Sequence, residues 1–312
     1  WIHTGDNGFS DQKMARALNI ITRKIEAVKF DEYEETLVNE LKCYDGYLVA
    51  AAMARFRTEH PHRRQRFAYE YISLLFVPYV RWALHSAVKN GDKVVYFISR
   101  DGHQLKKIAD VIIKEDNLDI EAKYIYASRR TWRIPSFYDH IDVGFWGQGY
   151  GNMARVDSLK RLLKALDMNE KEFREIFPEF NNITYETEID REQIEDMSEI
   201  FKNSEKYEKF LLAKAAEERK PVCAYLKQEM DCDKQFSIIE YWGRGYTQEN
   251  FTRLWHDIKG KKVPVTFYYS RSTLPSDEWN IRKNFTTNTS SQAFIESIFA
   301  CINYKSIQEY VY

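Results

Sequence analysis

The stretch that decides the fold reads Lys-Val-Val-Tyr-Phe-Ile-Ser-Arg-Asp-Gly, from Lys93 to Gly102. Its first half is a run of β-branched and aromatic residues, which predicts a short buried strand. Apolar residues then recur at helical spacing over residues 103–114, and a second apolar run at residues 122–127 predicts another strand. Strand, loop, helix and strand in this order form a βαβ unit, which favours a parallel sheet.

The remaining sequence sets the limits of this α/β region. Further strands are predicted at residues 235–240 and 263–269, whereas residues 158–229 are highly charged and helical in pattern. We therefore predict a Rossmann-like, parallel-sheet α/β domain that comprises residues 89–157 and 230–312, with a helical insertion at residues 158–229. A helical segment at residues 21–88 and a short strand, turn and helix at residues 1–20 precede it.

Composition narrows the classes of function. Lys and Arg number 46 and Asp and Glu number 47, so the chain has no basic field for nucleic acid. The four cysteines lack the spacing of a zinc site or a disulfide framework. Neither a signal peptide nor an apolar run of about 20 residues is visible. These features predict a cytoplasmic protein with at most peripheral membrane association.

Polar loops follow the first two predicted strands. In residues 99–104, Arg100 can bind phosphate oxygens, and Asp101 can hold a metal ion or a sugar hydroxyl. The candidate ligand residues of this loop are Ser99, Arg100, Gly102 and His103, with His103 secondary. The alternative is an ordinary capped helix, with Asp101 as the capping acceptor and Arg100 exposed.

A second loop holds two adjacent arginines, Arg129 and Arg130, directly after the next strand. Adjacent arginines usually point to opposite sides, so one of them is expected to face the ligand site. A solvated surface pair is the alternative reading.

A third loop follows the strand at residues 235–240. Glu240 at the strand end can accept hydrogen bonds from ribose hydroxyls. The two glycines of the loop let the backbone approach a phosphate closely, and Thr247 can donate its hydroxyl at the start of the next helix. The predicted phosphate-binding residues are Gly243, Arg244, Gly245, Tyr246, Thr247 and Gln248.

Residues 5–11 resemble the final motif of haloacid-dehalogenase (HAD) phosphatases, in which paired acids help to hold Mg²⁺. By that resemblance Asp6 and Asp11 are metal-binding acids. The Asp-x-Asp nucleophile of those enzymes has no counterpart here, because the one such motif, Asp231–Asp233, follows a predicted helix rather than a strand. Two acids without the nucleophile cannot form a phospho-enzyme. Residues 1–20 are therefore interpreted as the remnant of a phosphatase-like domain.

Three stretches, residues 97–130, 240–248 and 294–299, resemble the C-terminal portion of bacterial polysaccharide-biosynthesis proteins labelled predicted HAD hydrolases. The resemblance implies a phosphoribosyltransferase with a fused or partner phosphatase domain, active in capsule or O-antigen synthesis. It implies 5-phosphoribosyl 1-pyrophosphate (PRPP) as donor, a glycan hydroxyl as acceptor, Mg²⁺ as cofactor, and Asp101 and Glu240 as catalytic residues. Two departures stand out: Tyr241 replaces the second acid of the usual pair, and Gly-Arg-Gly-Tyr-Thr replaces Thr-Gly-Gly-Thr.

Three other functions remain open from sequence. They are a HAD-type phosphohydrolase truncated in this chain, a nucleotide-sugar glycosyltransferase that uses the same phosphate loops, and a non-catalytic adaptor. Convergence of Arg100, Asp101, Glu240 and Arg244 at one place is expected for a transferase. Scattered positions would favour the adaptor.

Overall fold

The computed structural model describes residues 1–25, 28–99, 101–146, 153 and 156–286. The chain divides into two compact units, Trp1–Pro78 and Tyr79–Tyr312, which we describe separately. Arg100 and the stretch at residues 294–299 lie outside the described residues.

The first unit begins with a small parallel sheet. Strands β1 (Ile2–Gly5) and β2 (Ile21–Lys24) pair in parallel, and a π-helical turn (Gly8–Met14) and helix α1 (Ala15–Ala17) connect them. We had expected helix from residue 21 onward, so β2 corrects that expectation. The helices that follow are α2 (Glu32–Leu41), α3 (Tyr44–Glu59), α4 (Arg63–Phe67), a π-helical turn (Ala68–Ile72) and α5 (Ser73–Lys89), which continues into the second unit.

The second unit is built on a five-stranded, fully parallel sheet, which confirms the predicted α/β class. Its spatial order is β4–β3–β5–β6–β7. The strands are β3 (Val94–Ile98), β4 (Glu121–Ile125), β5 (Phe236–Gly243), β6 (Val265–Ser272) and β7 (Asn280–Asn284). All five residues of β3 are buried, as expected for a central strand that is covered on both faces.

Helices surround this sheet and also form the predicted insertion. They are α6 (Gly102–Glu115), α7 (Arg129–Arg133), α8 (Val143–Trp146), α9 (Leu159–Leu166), α10 (Glu170–Ile176), α11 (Arg191–Lys202), α12 (Glu205–Glu229) and α13 (Tyr246–Lys259), with 3₁₀ turns at Ile134–Ser136 and Pro178–Phe180. The insertion has a hydrophobic core of its own, which includes Leu162, Phe173, Phe201 and Tyr207.

A second core lies between one face of the sheet and helices α7, α12 and α13. Trp132 of α7 packs against Phe251 of α13 with ring centroids 4.9 Å apart, and Leu226 near the end of α12 joins them. On α5, the Tyr79 hydroxyl donates to the carbonyls of Tyr268 (2.8 Å) and Glu240 (3.0 Å). These contacts fix the helices around the ends of the central strands.

The strand order creates a switch point. From the central strand β3 the chain passes to β4 on one side and then to β5 on the other. In open α/β sheets the loops on the two sides of such a point diverge, and ligands bind there, at the carboxyl ends of the strands. Among the described residues, no helix combines the length and the apolar character that crossing a membrane requires.

Candidate functional site

The three polar loops meet at the carboxyl edge of the sheet, because β3, β4 and β5 run in parallel. Of the predicted residues, the structure brings Asp101, Arg129 and Glu240 together. The charges of Arg129 and Asp101 both act on the carboxyl group of Glu240, the first lowering and the second raising its pKa. A carboxyl group thus sits at the switch point with an arginine and a second acid as neighbours.

Glu240 is held close to the glycine loop. A Cβ atom at Gly243 would lie 3.1 Å from the carboxyl carbon and from both carboxyl oxygens of Glu240, so a larger residue would press on this carboxyl group. The Oε2 atom is buried, and within the described ranges nothing hydrogen-bonds to it. Burial is the main cause that raises the pKa of Glu240 to about 7, against the lowering effects of Arg129 and of the Tyr269 and Thr247 hydroxyls.

Strand β5 continues to Gly243, three residues past the predicted strand end at Glu240. The glycine loop at residues 243–247 therefore comprises the end of β5, Arg244 and Gly245, and the first residues of α13. Gly245 is the residue before the helix and has φ +107°, a conformation that favours glycine. No side chain caps the helix start. Tyr246 packs on α8, since a Cβ atom at Gly144 would lie 3.0 Å from its ring. Thr247 is buried and faces Glu240.

Gln248 has a different position from the rest of that loop. Its buried amide donates to the carbonyls of Val265 (2.9 Å) and Ile281 (3.1 Å), so it joins α13 to strands β6 and β7. We had predicted Gln248 for substrate binding, and its side-chain amide nitrogen is used within the fold.

The loop after β3 is tied to β4. The Ser99 hydroxyl donates to the carbonyl of Ala127 (2.5 Å) and accepts from its N–H (2.9 Å). A Cβ atom at Gly102 would lie 2.8 Å from the carbonyl carbon of Phe97, so the glycine permits close packing of α6 on β3. Ser99 and Gly102 thus shape the loop.

Asp101 precedes α6 but does not cap it through its side chain. The capped-helix reading assigned it that hydrogen bond, which the structure lacks. His103 packs edge-on against Tyr124, with ring centroids 5.8 Å apart, and burial together with Lys107 and Lys106 lowers its pKa.

The two adjacent arginines diverge. Arg129 is exposed and acts on Glu240. Arg130 forms an ion pair with Asp167, a buried residue that also pairs with Lys214 at 2.7 Å. Arg130 therefore joins α7 to the helical insertion, and Arg129 faces the site.

Two further arginines, Arg133 and Arg282, were not predicted from the sequence. Arg133 lies one helical turn after Arg129 and is buried, and desolvation, followed by the charge of Arg129, lowers its pKa to about 10. Helical spacing from Arg129 was the signal that could have found it. Arg282 of β7 lies beneath the glycine loop. Its strand has no apolar run, so no sequence signal pointed to it.

In the first unit, Asp11 contacts residues that are close to it in the sequence. Asp11 accepts a hydrogen bond from the N–H of Asn7 (2.9 Å) and pairs with His3 Nε2 (3.0 Å). Both contacts lower the pKa of Asp11, and the contact with His3 has the larger effect. Asp6 is exposed. Across the part of the chain that the structure describes, no three His, Cys, Asp or Glu side chains cluster as a metal site. Mg²⁺ binding by these acids stays a prediction.

Comparison with known proteins gives no family. No protein-family model matches the chain, and no curated protein matches it.

Proposed function

We propose that this chain transfers a 5-phosphoribosyl group from PRPP to a glycan hydroxyl. The observation that carries the proposal is the position of Glu240: a buried carboxyl at the switch point, between Arg129 and a glycine loop that opens a helix. PRPP suits such a site, because its sugar has free hydroxyls and lies between a 5-phosphate and a pyrophosphate, both of which are highly charged.

Each part of the donor has a place at this edge. The backbone of the loop from Gly243 to Thr247 holds the 5-phosphate, with Arg244 adding positive charge. Glu240 accepts hydrogen bonds from the ribose hydroxyls. Arg129 neutralises the pyrophosphate on the side of β3 and β4.

In the proposed reaction the acceptor hydroxyl attacks the anomeric carbon of PRPP. A bond forms between this carbon and the acceptor oxygen as its bond to the pyrophosphate oxygen breaks, and pyrophosphate leaves with the electron pair. Asp101 takes the proton of the acceptor hydroxyl. Bound Mg²⁺ would offset the charge of the pyrophosphate and would be held by the phosphate oxygens of the donor and by water, since Asp101 serves as the base.

The small sheet of the first unit supports a phosphatase partner. Ile2 of β1 and Ile21 of β2 are 69% and 67% exposed, although parallel strands are normally covered on both faces. We propose that a fused or partner α/β domain of the phosphatase type covers this sheet and removes the 5-phosphate after transfer.

The adjacent arginines provide a matched test of the donor site. Titration calorimetry with PRPP and Mg²⁺ is expected to give a micromolar dissociation constant for the wild type. Arg129→Gln should weaken binding at least about tenfold, because it removes a charge-assisted contact, whereas Arg130→Gln should change it less than about threefold. Thermal melts of both variants report any loss of folding.

The same titration separates the other functions. Equal losses in the two variants would contradict the assigned orientation of Arg129. Absence of PRPP binding together with heat from a nucleotide sugar would replace the proposal with a nucleotide-sugar glycosyltransferase. Silence with both ligands would favour the adaptor.

A further inference from the structure

We infer that Arg282 is a positioning residue, which fixes the conformation of the loop from Gly243 to Thr247. Its role in ligand binding rests on the proposed function, whereas its hold on the loop does not. Arg282 lies on β7, outside every motif recognised in the sequence.

The guanidinium of Arg282 is buried beneath this loop. Its side chain is 2% exposed. Nη2 donates to Glu249 Oε1 of α13 (3.0 Å) and approaches the carbonyl of Gly245 (3.4 Å), and Nη1 donates to the carbonyl of Pro275. One planar group therefore joins β7, the segment before it, the loop and the first turn of α13.

Gly245 also leaves the space that the guanidinium occupies beside the backbone. A Cβ atom at Gly245 would lie 2.6 Å from Arg282 Nε and 3.2 Å from the guanidinium carbon. The position thus requires glycine for two reasons, since its φ of +107° is also unfavourable for any other residue. Loop and guanidinium touch with no space for a side chain between them.

The segment before β7 holds the same side of the loop. The N–H of Leu274 donates to the carbonyl of Arg244 (3.0 Å), and Thr273 Oγ1 lies 3.4 Å from that carbonyl. The carbonyls of Arg244 and Gly245 are thus both directed at Arg282 and the segment before β7.

The direction of these carbonyls fixes the direction of the amides. In a trans peptide the N–H points opposite to the C=O, so the N–H groups of Gly245 and Tyr246 point away from Arg282. Successive backbone N–H groups that point to one side are the groups that bind phosphate. Arg282 contacts the carbonyl of Gly245, and Leu274 and Thr273 contact that of Arg244. Together they hold the two N–H groups in the orientation that the proposed 5-phosphate site needs.

Glu249 keeps the guanidinium in place. It is the carboxylate partner of Arg282, and burial raises its pKa in spite of the lowering effect of Arg282. A shorter cation would leave this carboxylate less well paired. It would also remove one of two donors to the carbonyl of Gly245, which accepts from the N–H of Glu249 (3.1 Å) as well. Arg282→Lys keeps the charge but removes the planar fork, so it isolates the geometric role.

Hydrogen exchange and ligand binding together test the inference. In Arg282→Lys, amide exchange in a peptide covering residues 241–248 should accelerate at least about fivefold, because a charge-assisted contact that holds the loop is lost. Ribose 5-phosphate should bind at least about fivefold more weakly, while inorganic pyrophosphate, placed at Arg129, should bind as in the wild type.

Arg174→Lys is the matched control. Arg174 also lies in the second unit, within the helical insertion, and donates to the carbonyls of Phe180 (3.0 Å) and Ile183 (2.6 Å). It should lower the melting temperature by a similar amount and leave exchange at residues 241–248 unchanged. If Arg282→Lys does not fold, Glu249→Gln provides a milder variant with the same expected direction.

The outcomes separate this inference from the proposed function. Unchanged loop exchange in folded Arg282→Lys overturns the inference, whatever the ligand data show. Faster loop exchange combined with no binding of ribose 5-phosphate to the wild type supports the role of Arg282 and contradicts the proposed phosphate site. Equal weakening of ribose 5-phosphate and pyrophosphate overturns the assignment of Arg282 to one part of the site.

Discussion

At the scale of residues, Glu240 links the stability of the protein to pH. Burial raises its pKa to about 7 from an ordinary value of 4.5, so the folded chain keeps this proton at a pH where the unfolded chain releases it. The protonated carboxyl of Glu240 therefore stabilises the folded state fully below about pH 4.5, and this stabilisation is lost as the pH rises through about 7. This pKa shift corresponds to at most roughly 3 kcal/mol in the free energy of unfolding.

Glu240→Gln should remove this dependence. Between pH 5 and pH 8 the wild type should lose up to roughly 3 kcal/mol of unfolding free energy that the variant does not lose, so the difference between the two should change by this amount. Urea denaturation at the two pH values measures it, with the exposed Glu217→Gln as control. An equal difference between variant and wild type at both pH values would show that Glu240 ionises normally in the folded protein.

At the scale of elements, Asp167 joins the helical insertion to the helix that carries the site arginine. It ends α9, and it pairs with Arg130 of α7 and with Lys214 of α12. Asp167→Ala should lower the free energy of unfolding by about 2 kcal/mol. The loss is smaller than for a fully buried pair, because Arg130 and Lys214 are 38% and 32% exposed and can reach water.

A surface pair provides the comparison for that prediction. Asp157 and Arg161 are 58% and 60% exposed, so Asp157→Ala should cost less than about 1 kcal/mol. Chemical denaturation of both variants measures the difference. Similar losses in the two would mean that Asp167 does not hold α7 to the insertion.

The strands show which elements a sequence pattern can predict. Strands β3 to β6 were predicted because each contains a run of β-branched and aromatic residues. Strands β2 and β7 were missed because Ile-Thr-Arg-Lys and Asn-Ile-Arg-Lys-Asn each contain a single apolar residue. Both are short strands at the edge of a sheet.

The site was predictable only in part for a related reason. Parallel strands place their carboxyl ends at one edge, so the meeting of Asp101, Arg129 and Glu240 followed from the order of the elements. The choice between Arg129 and Arg130 depends on Asp167, which lies 37 residues further along the chain from Arg130. Likewise, the hold of Arg282 on the glycine loop depends on a strand that the sequence did not predict.

At the scale of the whole molecule, the carboxyl edge of the sheet around β5 is the proposed donor site. The order β4–β3–β5–β6–β7 places the loops after β3, β4 and β5 around Glu240, and the helical insertion is tied to this edge through α7. The proposed donor must therefore bind across the end of β5. Its 5-phosphate belongs at the glycine loop and its pyrophosphate near Arg129.

A crystal structure of the chain grown with PRPP and Mg²⁺ tests this claim most directly. The account predicts the 5-phosphate against the backbone of residues 243–247, the ribose hydroxyls within hydrogen-bond distance of Glu240, and the pyrophosphate beside Arg129. PRPP bound elsewhere on the chain, or bound with its ribose away from Glu240, would contradict it.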